Sequence, residues 1–416
     1  MSLGELLVKN QALGFFNRSF SNNLAVALGD SRLAQQYLTT GRAKAFNMLT
    51  QMQMHCGQRL RVVLNLAQSG KRSDEYLSTS NVNAAFATKA MWLIVYGVIN
   101  DIGQNAGNTD YWTVYIKPVV QRWIAQGRKV ILITETGSNG FGISGSTYIA
   151  PVHKYNMQIK QFCKNEPNAL LFDAASLVMT RTTGMQISPT YSSDGTHINL
   201  MAGGVLLGQN LATLVQDAGI TPVNKLVYEP SAVYNNGAIQ WFSNPLFLNT
   251  AAGTGFISGT VPAGLSFIIA GTTGATATST VTTGQVGNDW NLAITATGSG
   301  VIKLAFDISN IESSGDKFFA NARFRVASGS SGFQWASTYI ESNRNSTTNW
   351  VEDGYTTTSD NALPSGTYDW VSETDLITIS TGTRGWMTMY INVYFASAGS
   401  ATLTISQLGL WRINSY

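Results

Sequence analysis

The feature that most constrains this chain is a change of grammar partway along it. From about residue 23 to 218, short apolar runs alternate with longer stretches of helical period. The runs are Leu24–Leu28, Leu60–Leu66, Trp92–Tyr96, Lys129–Thr134 and Ala169–Phe172; the helical stretches include Tyr111–Gln126, Tyr148–Cys163 and Leu200–Val215. This order predicts an α/β domain with a parallel sheet, because parallel neighbours need a crossover and a helix supplies it. In such a doubly wound sheet, ligands bind where loops gather at the carboxyl ends of the strands. From about Val227 the segments become short, alternating and rich in Thr, Ser, Gly and aromatics. Ser279–Thr283, Trp290–Thr297, Ile302–Ile308, Phe318–Val326, Trp386–Phe395 and Ala401–Ile405 all read as strands. An all-β sandwich of jelly-roll type is the expectation there. The division is expected as residues 1–225 and 226–416, joined through Gly219–Pro230.

Composition narrows the partners. Charged residues are 12% of the 416, about half the usual share, and the net charge is only +3. No Lys/Arg run stands out, so no nucleic acid is expected as a partner. The start of the chain lacks a basic segment followed by an apolar run, so no signal peptide is expected. The longest apolar stretches, such as Met91–Tyr96, are strand-sized, so no membrane insertion is expected. Cys56 and Cys163 stand outside any CxxC or Cys/His cluster; they read as thiols, with a disulfide left open if the fold brings them together. No ligand spacing appears among the few His and Cys residues, so neither metal nor cofactor is expected.

Three histidines are available, His55, His153 and His197. A hydrolase with a neutral nucleophile needs a base near neutral pH, and histidine is the default. His197 ends Ser193-Asp194-Gly195-Thr196-His197, where Asp194 can fold back across Gly195 to orient the imidazole. Alone, such a pattern is as often a surface turn. Ser31, in Gly29-Asp30-Ser31, follows the first strand and precedes a helical segment; alone, it reads as a helix cap. Gly70 follows the second strand and could present a bare N–H. Asn100 follows the third and could present a side-chain amide, a good oxyanion donor. All four residues follow strands of one parallel sheet, and loops at one edge converge in space.

These blocks resemble the SGNH, or GDSL-like, hydrolases, whose hallmark is a Ser, a Gly, an Asn and a His in four separate blocks in that order. The resemblance covers roughly residues 20–217, and Asn199-Leu200-Met201-Ala202-Gly203-Gly204 is similar to the family's run into its last helix. It implies a flavodoxin-like three-layer α/β/α domain and a carboxylic ester hydrolase. Ser31 would be the nucleophile, His197 the base and Asp194 its orienting acid. The backbone N–H groups of Ser31 and Gly70, with the Asn100 amide, would form the oxyanion hole. One departure stands in the third block, which in the family reads Gly-x-Asn-Asp. Here Val98 and Ile99 separate Gly97 from Asn100, which puts a role for Gly97 in doubt. No Gly-x-Ser-x-Gly elbow is present, against an α/β-hydrolase.

Seven of the ten tryptophans fall after residue 227. Trp350 and Trp370, in polar surroundings, are the candidates for stacking on sugar rings, and Arg32 is a candidate for meeting an anionic sugar. Asp173 and Glu135 read as loop carboxylates. An esterase joined to a β-domain resembles phage or prophage tail proteins that remove acetyl groups from capsule or O-antigen, often as homotrimers. That resemblance implies an acetylated polysaccharide substrate, tail components as possible partners, and a virion or extracellular location. Two rivals are a lipid or acyl-thioester hydrolase on the same fold and a non-catalytic receptor-binding protein.

Overall fold

The computed structural model describes residues 21–39, 42–104, 110–138, 146–180, 186–220, 226–229, 239–242, 244–264, 266–268, 274–308, 312–357 and 360–413. The expected linker Gly219–Pro230 and the start of the chain lie largely or wholly outside them. The chain forms two compact units that are interleaved in sequence. One comprises residues up to Gln35, Arg59–Ile198 and Thr213–Pro222; the other comprises Gln36–Gln58, Asn199–Ala212 and the chain from Val223.

The first unit is built on five parallel strands: β1 (Ser21–Gly29), β2 (Arg61–Asn65), β3 (Ala90–Tyr96), β4 (Lys129–Ile133) and β5 (Ala169–Phe172). Their order is β2-β1-β3-β4-β5, the flavodoxin-like doubly wound arrangement. All five coincide with the predicted apolar runs. The reason is burial on both faces: Ala25–Leu28 and Val130–Ile133 are wholly inaccessible, so a central parallel strand reads as an unbroken apolar run. Cys56 and Cys163 are both free thiols.

Among the described residues the second unit is all-β apart from two helical segments. Its strands include β6 (Thr276–Thr283), β7 (Asn288–Ala296), β8 (Gly300–Asp307), β9 (Lys317–Val326), β10 (Ser331–Arg344), β11 (Thr347–Tyr355) and β12 (Arg384–Ile413). The 30-residue β12 organises them. Its first half lies between β8 and β10, and its second half between β7 and β9. Ile391, Val393 and Phe395 from the first half and Leu403, Ile405 and Leu410 from the second belong to one apolar cluster with Trp290, Trp335 and Trp370, the core of a β-sandwich.

The division differs from a single cut at residue 225. Arg42–Lys44 is a strand that pairs in parallel with β11, Arg42 opposite Glu352 and Ala43 opposite Asp353. The helix Met48–His55 follows it, with Leu49, Met52 and Met54 buried. The second unit thus completes its sheet with chain from deep inside the first half of the sequence. The beginning of the helix Met201–Asp217 packs on the same segment. A Cβ on Gly204 would lie 1.8 Å from the Phe46 carbonyl oxygen, and one on Gly208 would lie 2.1 Å from the Gln51 Cβ.

That close approach gives a test. In an open helix Gly→Ala stabilises by about 1 kcal/mol. Here Gly204→Ala should instead destabilise by about 1–3 kcal/mol, because backbone must move to admit the methyl group. The thermal midpoint, followed by circular dichroism, should fall by several degrees; an unchanged or raised midpoint contradicts the packing.

Candidate active site

β1 ends at Gly29, and a one-turn helix, Ser31–Ala34, begins directly after Asp30. Gly29 is required by proximity: a Cβ there would sit 2.0 Å from the Tyr96 carbonyl oxygen at the end of β3. Asp30 caps the helix, its Oδ1 accepting from the Arg32 N–H at 3.0 Å. Ser31 is 8% exposed, and its hydroxyl lies 2.8 Å from His197 Nε2. The residues are 166 apart in sequence, so the fold and no local turn brings them together.

The other half of the site is a tight turn. Gly195 has φ +70°, a left-handed conformation suited to glycine, and it lets Asp194 face back. Asp194 Oδ1 accepts from the Thr196 and His197 N–H groups, each at 2.8 Å. Asp194 Oδ2 accepts from His197 Nδ1, also at 2.8 Å. An ionised carboxylate only accepts, so Nδ1 carries the proton and Nε2 is left to accept from the Ser31 hydroxyl. Burial raises the Asp194 pKa, but the hydrogen bonds from His197 and Thr196 outweigh it and hold the carboxyl down at about 2. The structure therefore joins Ser31, His197 and Asp194 in one hydrogen-bonded chain, as the sequence suggested.

The expected oxyanion donors stand on the loops that follow β2 and β3. Gln68 N–H donates to the Gly29 carbonyl at 2.9 Å, anchoring the Gly70 loop beside the end of β1. Gly70 has φ +75°, and its carbonyl accepts from Gln104 Nε2 at 3.0 Å. Asn100 is 7% exposed, in the first turn of the helix Ile99–Gly103, and its Nδ2 donates to the Lys71 carbonyl at 3.1 Å. That bond ties the amide to the loop carrying Gly70. Among the described residues the N–H groups of Ser31 and Gly70 have no acceptor.

Arg32 corrects an expectation. Its side chain is 1% exposed, and it does not face a substrate. The guanidinium is paired with Glu135, donates to the Thr196 carbonyl at 3.0 Å and to the Gly137 carbonyl at 2.5 Å, and lies over the Tyr96 ring. Glu135, read from sequence as a loop carboxylate, is fully buried and also accepts from the backbone N–H groups of Thr136, Gly137 and Val98. Gly97 also finds a place. It has φ +123°, and a Cβ there would meet Asp30 Cγ at 2.4 Å. Trp370 is a second correction. It is 1% exposed and stacked on Trp335 with centroids 4.2 Å apart, so it belongs to the core of the second unit. Trp350 is half-buried beside Arg42, in that same unit. Among the described residues no group of three His, Cys, Asp or Glu gathers to hold a metal, and no helix is long and apolar enough to cross a membrane.

Burial pushes the Asp30 carboxyl up to about 6, with the Arg32 charge opposing and the Glu135 charge adding. A carboxyl raised by folding contributes most below its unfolded value of 3.8 and loses that contribution as pH rises through about 6. Asp30→Asn removes the titration. The stability of the variant relative to the parent should therefore improve by about 1 kcal/mol between pH 5 and pH 8. Urea melts at the two pH values check it, and a difference that stays flat or reverses contradicts the burial.

No protein-family model and no curated protein matches the sequence. Among solved structures, the chain is similar to a GDSL-like lipase from Bacteroides thetaiotaomicron, at 14% identity over 52% of this chain and 97% of that one, with a TM-score of 0.36. It is similar to a carbohydrate esterase family 3 protein from Talaromyces cellulolyticus, at 15% identity over 47% of this chain and 98% of that one, with a TM-score of 0.35. A third similarity is to a carbohydrate-binding module of the β-sandwich superfamily, at 18% identity over 36% of this chain and 58% of that one, with a TM-score of 0.26.

Proposed function

We propose that this chain is a serine esterase that removes O-acetyl groups from a bacterial surface polysaccharide. The observation that carries the esterase reading is the chain of two 2.8 Å contacts from the Ser31 hydroxyl through the His197 ring to Asp194. Nucleophile, base and orienting acid stand in the order acyl transfer requires.

In the proposed reaction, His197 Nε2 takes the Ser31 proton as Oγ attacks the ester carbonyl. The negative charge that develops on the carbonyl oxygen is received by the Ser31 and Gly70 N–H groups and the Asn100 amide. Such fixed donors act without reorganising during the reaction. His197 then gives its proton to the departing sugar oxygen as the C–O bond breaks, leaving an acyl-Ser31 ester. A water, deprotonated by the same imidazole, releases acetate and restores the serine. Asp194, ionised throughout the neutral range, stabilises the imidazolium formed in each half-reaction. The polysaccharide part of the reading is supported by the β-sandwich in the same chain. The family resemblance to phage or prophage tail esterases extends the proposal to a tail or extracellular setting, with a trimer as the expected assembly.

Ser31→Ala should abolish turnover of p-nitrophenyl acetate and acetate release from acetylated capsule, with the near-ultraviolet dichroism unchanged; retained turnover overturns the assignment. Asn100→Ala should lower kcat by about 10²–10³-fold, the usual cost of one oxyanion donor. A change in KM alone would place Asn100 in ground-state binding instead.

A further inference from the structure

The second unit carries a polar and aromatic face that its own folding does not require. Side chains alternate across a strand. On β12, Ile391, Val393 and Phe395 enter the core, so Tyr390, Asn392 and Tyr394 point the other way. The pairing register aligns them with the same face of the neighbours. Lys303 lies opposite Asn392 on β8, Ser337 opposite Asn392 and Tyr339 opposite Tyr390 on β10, and Glu352 opposite Tyr339 on β11. Arg42 lies opposite Glu352 on the adjoining strand. The second face of a sandwich sheet needs only solvated residues such as Thr and Ser. This one instead carries rings, amides and cations in register across five strands.

This face carries a pocket of about 470 Å³ whose lining includes Arg42, Lys303, Tyr355, Asn392 and Tyr394. Its floor is a fixed hydrogen-bond network. Buried Glu352 accepts from Ser337 Oγ at 2.9 Å, from Asn392 Nδ2 at 2.7 Å and from the Tyr394 hydroxyl. Asn392 is 2% exposed, and its Oδ1 has no hydrogen-bond partner. A buried acceptor left unmatched is costly. Arg42 Nε lies 3.4 Å from Glu352 Oε2, while its guanidinium carbon sits 4.3 Å from the Trp350 ring centroid and 4.5 Å from that of Tyr355. Lys303 Nζ lies 5.1 Å from the Tyr390 centroid and forms no ion pair among the described residues. The pocket's lining thus holds two cations and no carboxylate, while Glu352 and Glu341 lie on the same sheet face.

We propose that this pocket binds a sugar residue bearing a carboxylate. Tyr355 offers a ring to the C–H face of the sugar, and Arg42 and Lys303 receive the carboxylate. Charge-assisted bonds of this kind are the strong ones. The inference goes beyond the hydrolytic reading: binding needs no ester, so loss of hydrolysis leaves it standing, and loss of binding leaves hydrolysis standing.

The test uses the full chain carrying Ser31→Ala, so that no ester is consumed. Isothermal titration compares oligosaccharides of glucuronic, galacturonic and sialic acid with the same molecules after their carboxyl groups have been reduced to alcohols. At least one acidic oligosaccharide should bind, with its reduced form weaker by about tenfold or more. Lys303→Gln and Tyr355→Ala should each weaken the acidic ligand by about tenfold, with thermal midpoints confirming that both fold. Added salt should weaken the acidic ligand more than the reduced one. The proposal is overturned if no acidic oligosaccharide binds, if the reduced forms bind equally well, or if the folded variants bind like the parent.

Discussion

The candidate triad depends on a guanidinium that never meets solvent. Arg32 stands one residue past Ser31, and its side chain reaches Glu135 beyond β4 and the Thr196 carbonyl in the turn before His197. A charge removed from water is expensive, several kcal/mol even after relaxation. Here the cost is offset by a carboxylate, two carbonyl oxygens and the face of Tyr96. The pairing fixes distances between three segments that the sheet by itself only brings near one another. Loss of one partner would leave a buried charge uncompensated, a penalty of about 3–5 kcal/mol. The turn carrying Asp194 and His197 is therefore held from the inside, while the His197 and Asp194 side chains stay partly exposed.

This explains which parts of the site were legible in the sequence. Ser31, Asp194 and His197 sit in short local patterns, and each follows from a turn whose chemistry can be read over a few residues. Gly70 and Asn100 were legible through their position after strands. Arg32 and Glu135 were not, because their pairing spans 103 residues and leaves no local pattern. Arg32 beside a nucleophile looks like a ligand for substrate, and Glu135 after a buried strand looks like a solvated loop. The available signal was the company Glu135 keeps: a carboxylate two residues after the apolar run Val130–Ile133, followed by Gly137, has backbone N–H groups close enough to bind it.

The same contrast runs through the folds of the two units. The central parallel strands were legible because double burial writes an apolar run into the sequence, and the edge strands β2 and β5 because they too are short apolar runs, although Val63 of β2 is exposed. The hairpin of β10 and β11 was not, because one of its faces carries Ser, Tyr, Glu and Trp in place of a solvated alternation. The division at 225 failed for a related reason. Arg42–Lys44 is too short to announce itself, and its partner β11 lies about three hundred residues away. Trp370 shows how weak sequence surroundings are as a guide to exposure. Its neighbours are polar, yet its strand Tyr368–Glu373 pairs with β9, and its indole N–H donates to the Ala336 carbonyl inside the core.

The altered third block can now be understood as geometry. Gly97 is held on one side by Asp30, which leaves no room for a Cβ, and on the other by the Tyr76 hydroxyl donating to its carbonyl at 2.5 Å. Val98 then turns its side chain into the apolar core and directs its N–H to Glu135 Oε2 at 3.0 Å. Ile99 opens the helix, and Asn100 falls in its first turn, where its amide reaches the loop of Gly70. The segment from Gly97 to Asn100 is thus held at two fixed points, Asp30 and Glu135. Glu135 is one of those points, and it is also the partner of Arg32. A single buried carboxylate therefore anchors both the segment that carries Asn100 and, through the guanidinium, the turn that carries His197.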